Sequence, residues 1–248
     1  MKQALWALVV AAPLSALAQG PVDWQRQVLQ VTGHGPPDVK ASNPAQARLG
    51  AERSAREDAV RNLLEQAKGL PLSAERTVGQ ALEREETRRQ VETVLRGYTV
   101  LHRRYYSDGG MQLDVTVPLG ALTSVLVAPE PAAPPATGAK AEARYTGLVV
   151  DARKLDMFPV LAPRVLDAKG QRLYSAASLS SEAWKSTGVA AFFKSLPEAR
   201  KAAGDAPLVL EAASLQGSDL KLGAEADPAL AQLDPGLLAQ GRVTIVVK

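Results

Sequence analysis

The chain has 248 residues, 46% of them hydrophobic and 22% charged, a balance that fits a folded protein and excludes a disordered one. It has no cysteine and two histidines, His34 and His102, which leaves no residue set for disulfides, iron–sulfur clusters, thiolate zinc or thiol catalysis. The net charge of +3 comes from 29 basic and 26 acidic residues interspersed along the chain, and aromatics make up 4%, so neither a basic nucleic-acid footprint nor a stacking platform for single strands is legible.

Residues 1–18 have the pattern of an export signal. Lys2 precedes an apolar core at 4–14, and Ala16-Leu17-Ala18 fits the small-x-small cleavage rule. The apolar run is too short for a spanning helix and contains Pro13. The expected mature protein begins at Gln19 and is soluble, periplasmic or exported, and without a lipid anchor, because no cysteine is present to carry one.

Residues 28–32 read as a strand, and Gly33-His34-Gly35-Pro36-Pro37 as the turn that breaks it. Asn43-Pro44 opens a helix over 45–68 with an apolar stripe at Leu49, Ala55, Ala59, Leu63 and Ala67, and its alanines suggest close approach to a sheet. Charges on its other faces are laced four residues apart, and Gly69 and Pro71 end it. A second, very polar helix is expected over 78–95, anchored by Val78, Leu82, Val91 and Leu95. A hairpin follows, 98–106 with 111–117, turning at Asp108-Gly109. A two-residue loop places Arg103 opposite Asp114; a bulged three-residue loop shifts the register by one.

Four prolines among alanines at 128–143 read as a semi-rigid spacer between a first domain, 19–127, and a second, 144–248. Fully extended, it would hold two independently folding units up to about 45 Å apart. The second domain is expected to be mixed α+β. Its predicted strands lie at 145–152, 164–167, 172–174, 208–212, 220–222 and 242–247, and its helical stretches at 180–203, broken at Gly188 and Pro197, and at 228–240.

Few residues invite chemistry. A phosphate loop, a nucleophile elbow and a zinc-protease helix are all missing from the sequence, and Gly33-x-Gly35 runs into two prolines that cannot donate to phosphate. His102 falls in mid-strand among alternating neighbours, as an ordinary strand residue does. One cluster stands out: Asp151 and Arg153, two apart on an expected strand and so on one face, with Arg164 on the next. It reads either as a small polar binding site or as an ion pair closing a sheet end. No catalytic residue, metal ligand or cofactor is assigned.

The run Ala47-Arg48-Leu49, Arg53-Ser54-Ala55, Asp58-Ala59 and Arg61-Asn62-Leu63-Leu64-Glu65 is followed by Gly97-Tyr98, Arg104-Tyr105-Tyr106-Ser107-Asp108-Gly109 and Val117-Pro118-Leu119. Together these resemble the bacterial lipoprotein-twenty family, whose domain is similar to the N-terminal domain of flagellar assembly protein T. The resemblance covers 28–122. It implies an α+β fold with a long helix on an antiparallel sheet, an envelope location and no enzymatic activity. The second half looks like the extension many such proteins carry, with Lys154 where that extension usually has glycine. The function expected is a non-enzymatic periplasmic assembly or interaction module with envelope protein partners, no nucleic acid, and at most peripheral membrane association. The alternatives are a flagellar basal-body accessory protein, and a hydrolase or small-ligand-binding protein using Asp151 and Arg153.

Overall fold

In the computed structural model the described residues are 20–127, 144–230 and 232–248. The expected signal segment and the spacer at 128–143 lie outside them. The chain is α+β with two domains, the first a long helix on an antiparallel sheet as expected, the second a mixed sheet with short helices.

The first domain begins with β1 (Val22–Asp23) and β2 (Val28–Gly35), and continues through α1 (Pro44–Lys68), β3 (Pro71–Ser73), β4 (Arg76–Thr77), α2 (Val78–Ala81) and α3 (Glu85–Arg96). It ends with β5 (Thr99–Tyr105), β6 (Met111–Pro118) and α4 (Leu119–Leu126). The main sheet has the order β1-β2-β6-β5. The α1 N-terminus is capped as the sequence implies, with Asn43 Oδ1 accepting the Gln46 N–H at 2.9 Å.

Contrary to expectation, Gly33 and Gly35 do not break the strand. They are its last residues, paired with Leu113 and Met111 of β6. The reason is that α1 lies directly on them. A Cβ on Gly33 would fall onto the Ala55 carbonyl oxygen and 2.7 Å from the Ala59 Cβ, and one on Gly35 would strike the Ala51 carbonyl. The facing side of α1 is correspondingly small: Ala51, Ala55, Ala59 and Ala67, with Leu63, all fully buried. Leu49, placed on that stripe by the sequence reading, is exposed instead.

The expected second helix is two. Thr77 and Gln80 form a reciprocal capping box on the single turn of α2, and α3 restarts at Glu85-Glu86, whose carboxylates suit a helix N-terminus. All four expected anchors are buried, so the break leaves the apolar stripe intact. The β5–β6 hairpin takes the shifted register. Gly109, at φ +91°, donates to the Tyr106 carbonyl while the Tyr106 N–H bonds Gly110, which makes a bulged turn. His102 therefore faces Asp114, and Arg103 faces Leu113.

The second domain contains β7 (Leu148–Asp151), β8 (Arg164–Leu166), β9 (Arg172–Tyr174), α5 (Ser181–Ser186), β10 (Ala191–Phe193) and α6 (Leu196–Ala203). It continues with β11 (Leu208–Gln216), β12 (Asp219–Leu222), α7 (Asp227–Leu230), α8 (Pro235–Ala239) and β13 (Val243–Val246). Its sheet runs β10-β13-β7-β11-β12-β8-β9, with the first four strands mutually parallel. Pro197 does not break a helix here; it sits in the first turn of α6, where its missing N–H costs nothing. Ala199 and Ala203 of α6 cover Val149 and Val246 on one face, while Leu148, Val150 and Ile245 face the larger core around Tyr174 on the other.

The two domains touch, which corrects the expectation of units held apart. The turn after β1 reaches into the second domain: the Trp24 carbonyl accepts the Phe192 N–H at 3.0 Å, and the two rings meet edge to face at 5.8 Å. On another side, Pro71 and Leu72 of β3 accept the N–H groups of Leu161 and Ala162 at 2.9 and 3.1 Å, and Leu161 is buried in the first domain's core.

Two outcomes follow from this packing. Gly33→Ala is expected to lower stability by about 1–3 kcal/mol, since neither the helix backbone nor the strand can yield without repacking; an unchanged urea midpoint would contradict it. Cleavage within 128–143 is expected to leave fragments that co-elute in size-exclusion chromatography, and separate elution under native conditions would show that the interdomain contacts are too weak to hold.

Candidate functional site

The parallel strands β10, β13 and β7 end level with one another beside Glu211 of β11, which runs on to Gln216, and the carboxyl ends of parallel strands are where open sheets usually offer a site. Asp151 is the last residue of β7. Arg153 lies just beyond the strand rather than on it, and folds back. Its Nε donates to Asp151 Oδ1 at 2.9 Å and its terminal nitrogen to Oδ2 at 2.6 Å, while its backbone N–H also reaches Oδ1 at 3.1 Å. This two-pronged geometry is the strong form of a carboxylate–guanidinium contact. Hydrogen bonding from Arg153 holds the Asp151 carboxyl below the usual carboxylate range, against the opposing effect of partial burial.

The neighbouring charges are paired as well. Lys154 meets Glu211, the residue beside Asp151 on β11, at 2.5 Å, and Lys248 meets Asp156 at 2.5 Å. Arg164 does not join this cluster. It opens β8 and pairs with Asp219 of β12, its Nε 2.9 Å from Oδ1. Asp219 is level with Gln216 on β11, five residues beyond Glu211, roughly 17 Å along the strand. The structure thus brings Asp151 and Arg153 together and places Arg164 elsewhere. Within this cluster the Asp151 carboxylate is saturated by the Arg153 fork, an arrangement suited to closing a sheet end and poor at accepting a proton.

A second region was missed by sequence reasoning. The face of the first sheet turned away from α1 is polar, and Asp114 is its centre. Asp114 accepts from Thr32 Oγ1 at 2.8 Å and from an Arg104 terminal nitrogen at 2.5 Å, with His102 Nδ1 at 3.8 Å. Beside it runs β5, the edge strand, almost wholly exposed. Leu101 is 42% exposed, Tyr105 53% and Tyr106 50%, a clustering of large side chains that stands out because most others are buried. The other side of the sheet is better covered. Beyond β1, the open backbone of β2 is met by α1: Asp58 accepts the His34 N–H at 2.9 Å, and Asn62 donates to the Thr32 carbonyl at 2.8 Å. No described residue does this for β5. The signal available in the sequence was Leu-His-Arg-Arg-Tyr-Tyr at 101–106, a strand without a buried alternation.

Between α1 and α3, next to the start of β5, lies a groove of about 510 Å³ floored by Val60, Leu64 and Tyr98, with Arg56 and Arg96 among its walls. The Arg56 guanidinium is held above its ordinary value chiefly by its hydrogen bond to Glu52, with Tyr98 and Tyr105 adding to the effect. Among the described residues no helix is long and apolar enough to cross a membrane, and no group of His, Asp and Glu is arranged to hold a metal ion.

Residues 147–248 match the family model described as Treponema pallidum Tp0624, second domain. The second domain is therefore similar to a bacterial domain family. The match covers the half that holds Asp151 and Arg153, not the half that carries the lipoprotein-twenty resemblance. No curated protein matches the chain.

The state of Asp151 has a measurable consequence. Its folded pKa is depressed, so the stability it contributes is present above the unfolded carboxylate value, about pH 4. That contribution is lost as the pH falls through the lower folded value. Asp151→Asn is expected to flatten the acid limb of a stability–pH curve relative to the parent. Superimposable curves would show that the pair contributes nothing to folding.

Proposed function

We propose that this protein is a non-enzymatic, soluble module of the bacterial cell envelope that works by binding other envelope proteins. The observation that carries the reading is the edge strand β5, which leaves its outer backbone, Leu101 and Tyr105 uncovered, while the outer backbone of β2 beyond β1 is met by α1. Proteins normally blunt or cover such edges, and an open one is a place for another chain. The first-half resemblance to the lipoprotein-twenty family supports an envelope location, as does the signal pattern at 1–18. The likeness of the second half to a domain of a Treponema pallidum protein is consistent with a bacterial multidomain chain. The saturated Asp151–Arg153 pair supports a structural or binding role over acid–base chemistry. The flagellar version of the reading adds a named assembly to the same role and draws on the resemblance alone.

The test is photo-crosslinking in the native host from a residue placed at Tyr105. Phe158, 77% exposed in the second domain, is the control position. The expected result is a discrete higher-mass adduct from position 105, containing an envelope protein. No adduct from either position, together with turnover of a small molecule that Asp151→Ala abolishes, would overturn the reading in favour of an enzyme.

A further inference from the structure

We propose that a cavity at the junction of the two domains binds a tetrahedral oxyanion of the phosphate or sulfate class, with Arg76 of the first domain and Ser175 and Ser218 of the second as its ligands. No residue of β5 takes part, so the site stands apart from the interaction reading.

The cavity follows from how the domains meet. Backbone bonds from Leu161 and Ala162 to the carbonyls of Pro71 and Leu72 hold the β3–β4 hairpin against the second domain. The turn between β11 and β12 comes up to the tip of that hairpin: a Cβ on Gly217 would lie 3.4 Å from the Ala74 Cβ. Within this junction is a cavity of about 230 Å³. Ser73 and Arg76 of the hairpin wall it on one side, and Arg164, Ser175 and Ser218 on the other. It is smaller than the roughly 300–1,000 Å³ that a drug-sized ligand takes, and so suits an inorganic ion or the end group of a larger molecule.

Its polar groups are donors short of acceptors. Ser218 is 7% exposed, and its hydroxyl makes no hydrogen bond among the described residues. Ser175 is 1% exposed; its Oγ accepts the Ala177 N–H at 3.2 Å, and its own hydrogen goes to no described group. Leaving a buried hydroxyl unpaired is costly, so both call for an acceptor brought from outside the chain. Charge says which acceptor. Arg164 is balanced by Asp219, whose two oxygens both face its guanidinium. Arg76 has no carboxylate partner among the described residues, and none of those lining the cavity is acidic. Glu75, next to Arg76, is exposed at the hairpin tip. The walls therefore carry one uncompensated positive charge, and apolar neighbours such as Leu126 and Ala162 strengthen its field by displacing water. A carboxylate offers two oxygens to these donors. A phosphate or sulfate offers three or four, spread over a tetrahedron, which matches a guanidinium and hydroxyls arriving from two domains.

The test is isothermal titration calorimetry on the full mature chain in an oxyanion-free buffer. Sodium phosphate, sodium sulfate, methyl phosphate and sodium acetate are titrated at an ionic strength held constant with sodium chloride, and amide hydrogen exchange is read on the same samples. The expected result is saturable one-to-one binding of phosphate or sulfate at about 1 mM or below, roughly tenfold or more tighter than acetate, with added protection of the Leu161 and Ala162 amides. Arg76→Gln and Ser218→Ala are each expected to weaken binding by about tenfold, while Arg26→Gln, at the other domain contact, leaves it unchanged. Melting temperatures measured without oxyanion separate loss of binding from loss of fold, and Arg76→Lys, which keeps the charge, should recover part of the affinity. Methyl phosphate distinguishes the sources: binding at least as tight as phosphate identifies the end group of a monoester, weaker binding identifies the free ion, and either supports the proposal. No saturable binding up to about 10 mM, unchanged affinity in Arg76→Gln, or tighter binding of acetate than of phosphate and sulfate would overturn it.

Discussion

The contact between α1 and β2 sets the geometry of the first domain. Gly33 and Gly35 remove the side chains from one strand end, and Ala51, Ala55 and Ala59 reduce the facing helix to methyl groups. The two backbones then approach more closely than any larger pair would allow. Each buried methyl contributes about 0.8 kcal/mol by transfer, so the driving force is modest per residue and is multiplied by the density of contacts that close approach permits. The consequence reaches beyond packing. With α1 fixed over β2, Asp58 and Asn62 reach the free backbone of that strand and cover it. The same placement leaves β5 without a helix along its outer edge, and α3 packs on α1 and α4 instead. The domain therefore covers the free part of β2 and leaves β5 open, and the asymmetry comes from two glycines.

The second domain is built on different terms. Its central strands are parallel and buried on both faces, which is why Leu148-Val149-Val150 is apolar without alternation. Tyr174 is fully buried with its hydroxyl donating to the Val189 carbonyl, and burial pushes its ionisation well up, so it serves as a neutral packing element. The domains join where Trp24 and the β3 carbonyls supply partners that the second domain lacks internally. Gln27, at φ +56° and almost fully buried, turns the chain between Trp24 and β2 and gives its carbonyl to Leu119 at 2.8 Å. Its side-chain amide donates to the Trp24 carbonyl at 2.7 Å, which fixes the turn that carries Trp24 to Phe192.

Much of this was legible in the residues. The Asn43-Pro44 cap, the small stripe of α1 and the Asp-Gly turn each act locally, so local patterns reveal them. Other features depend on partners distant in the chain. Gly33-His34-Gly35 looks like a turn until a helix some twenty residues later is seen to need that space. Ala191–Phe193 is too short to show any period, and becomes a strand only through β13 at the end of the chain. The hairpin register hung on whether Gly109 or Asp108-Gly109 makes the turn, and both readings fit the sequence. Asp151 and Arg153 were found because a bidentate pair is local, whereas Arg164 was misplaced because its partner Asp219 lies on a strand the sequence could not position. The open edge was missed because exposure of a strand is defined by what fails to pack on it.

The most direct measurement is amide hydrogen exchange along 99–106 in the free protein, resolved residue by residue. If β5 is an open edge, the amides of Arg103 and Tyr105 exchange rapidly while those of His102 and Arg104, bonded to β6, are protected. Uniform slow exchange through the strand would show that its outer edge is already occupied, and the account of this surface as the place where a partner binds would fail.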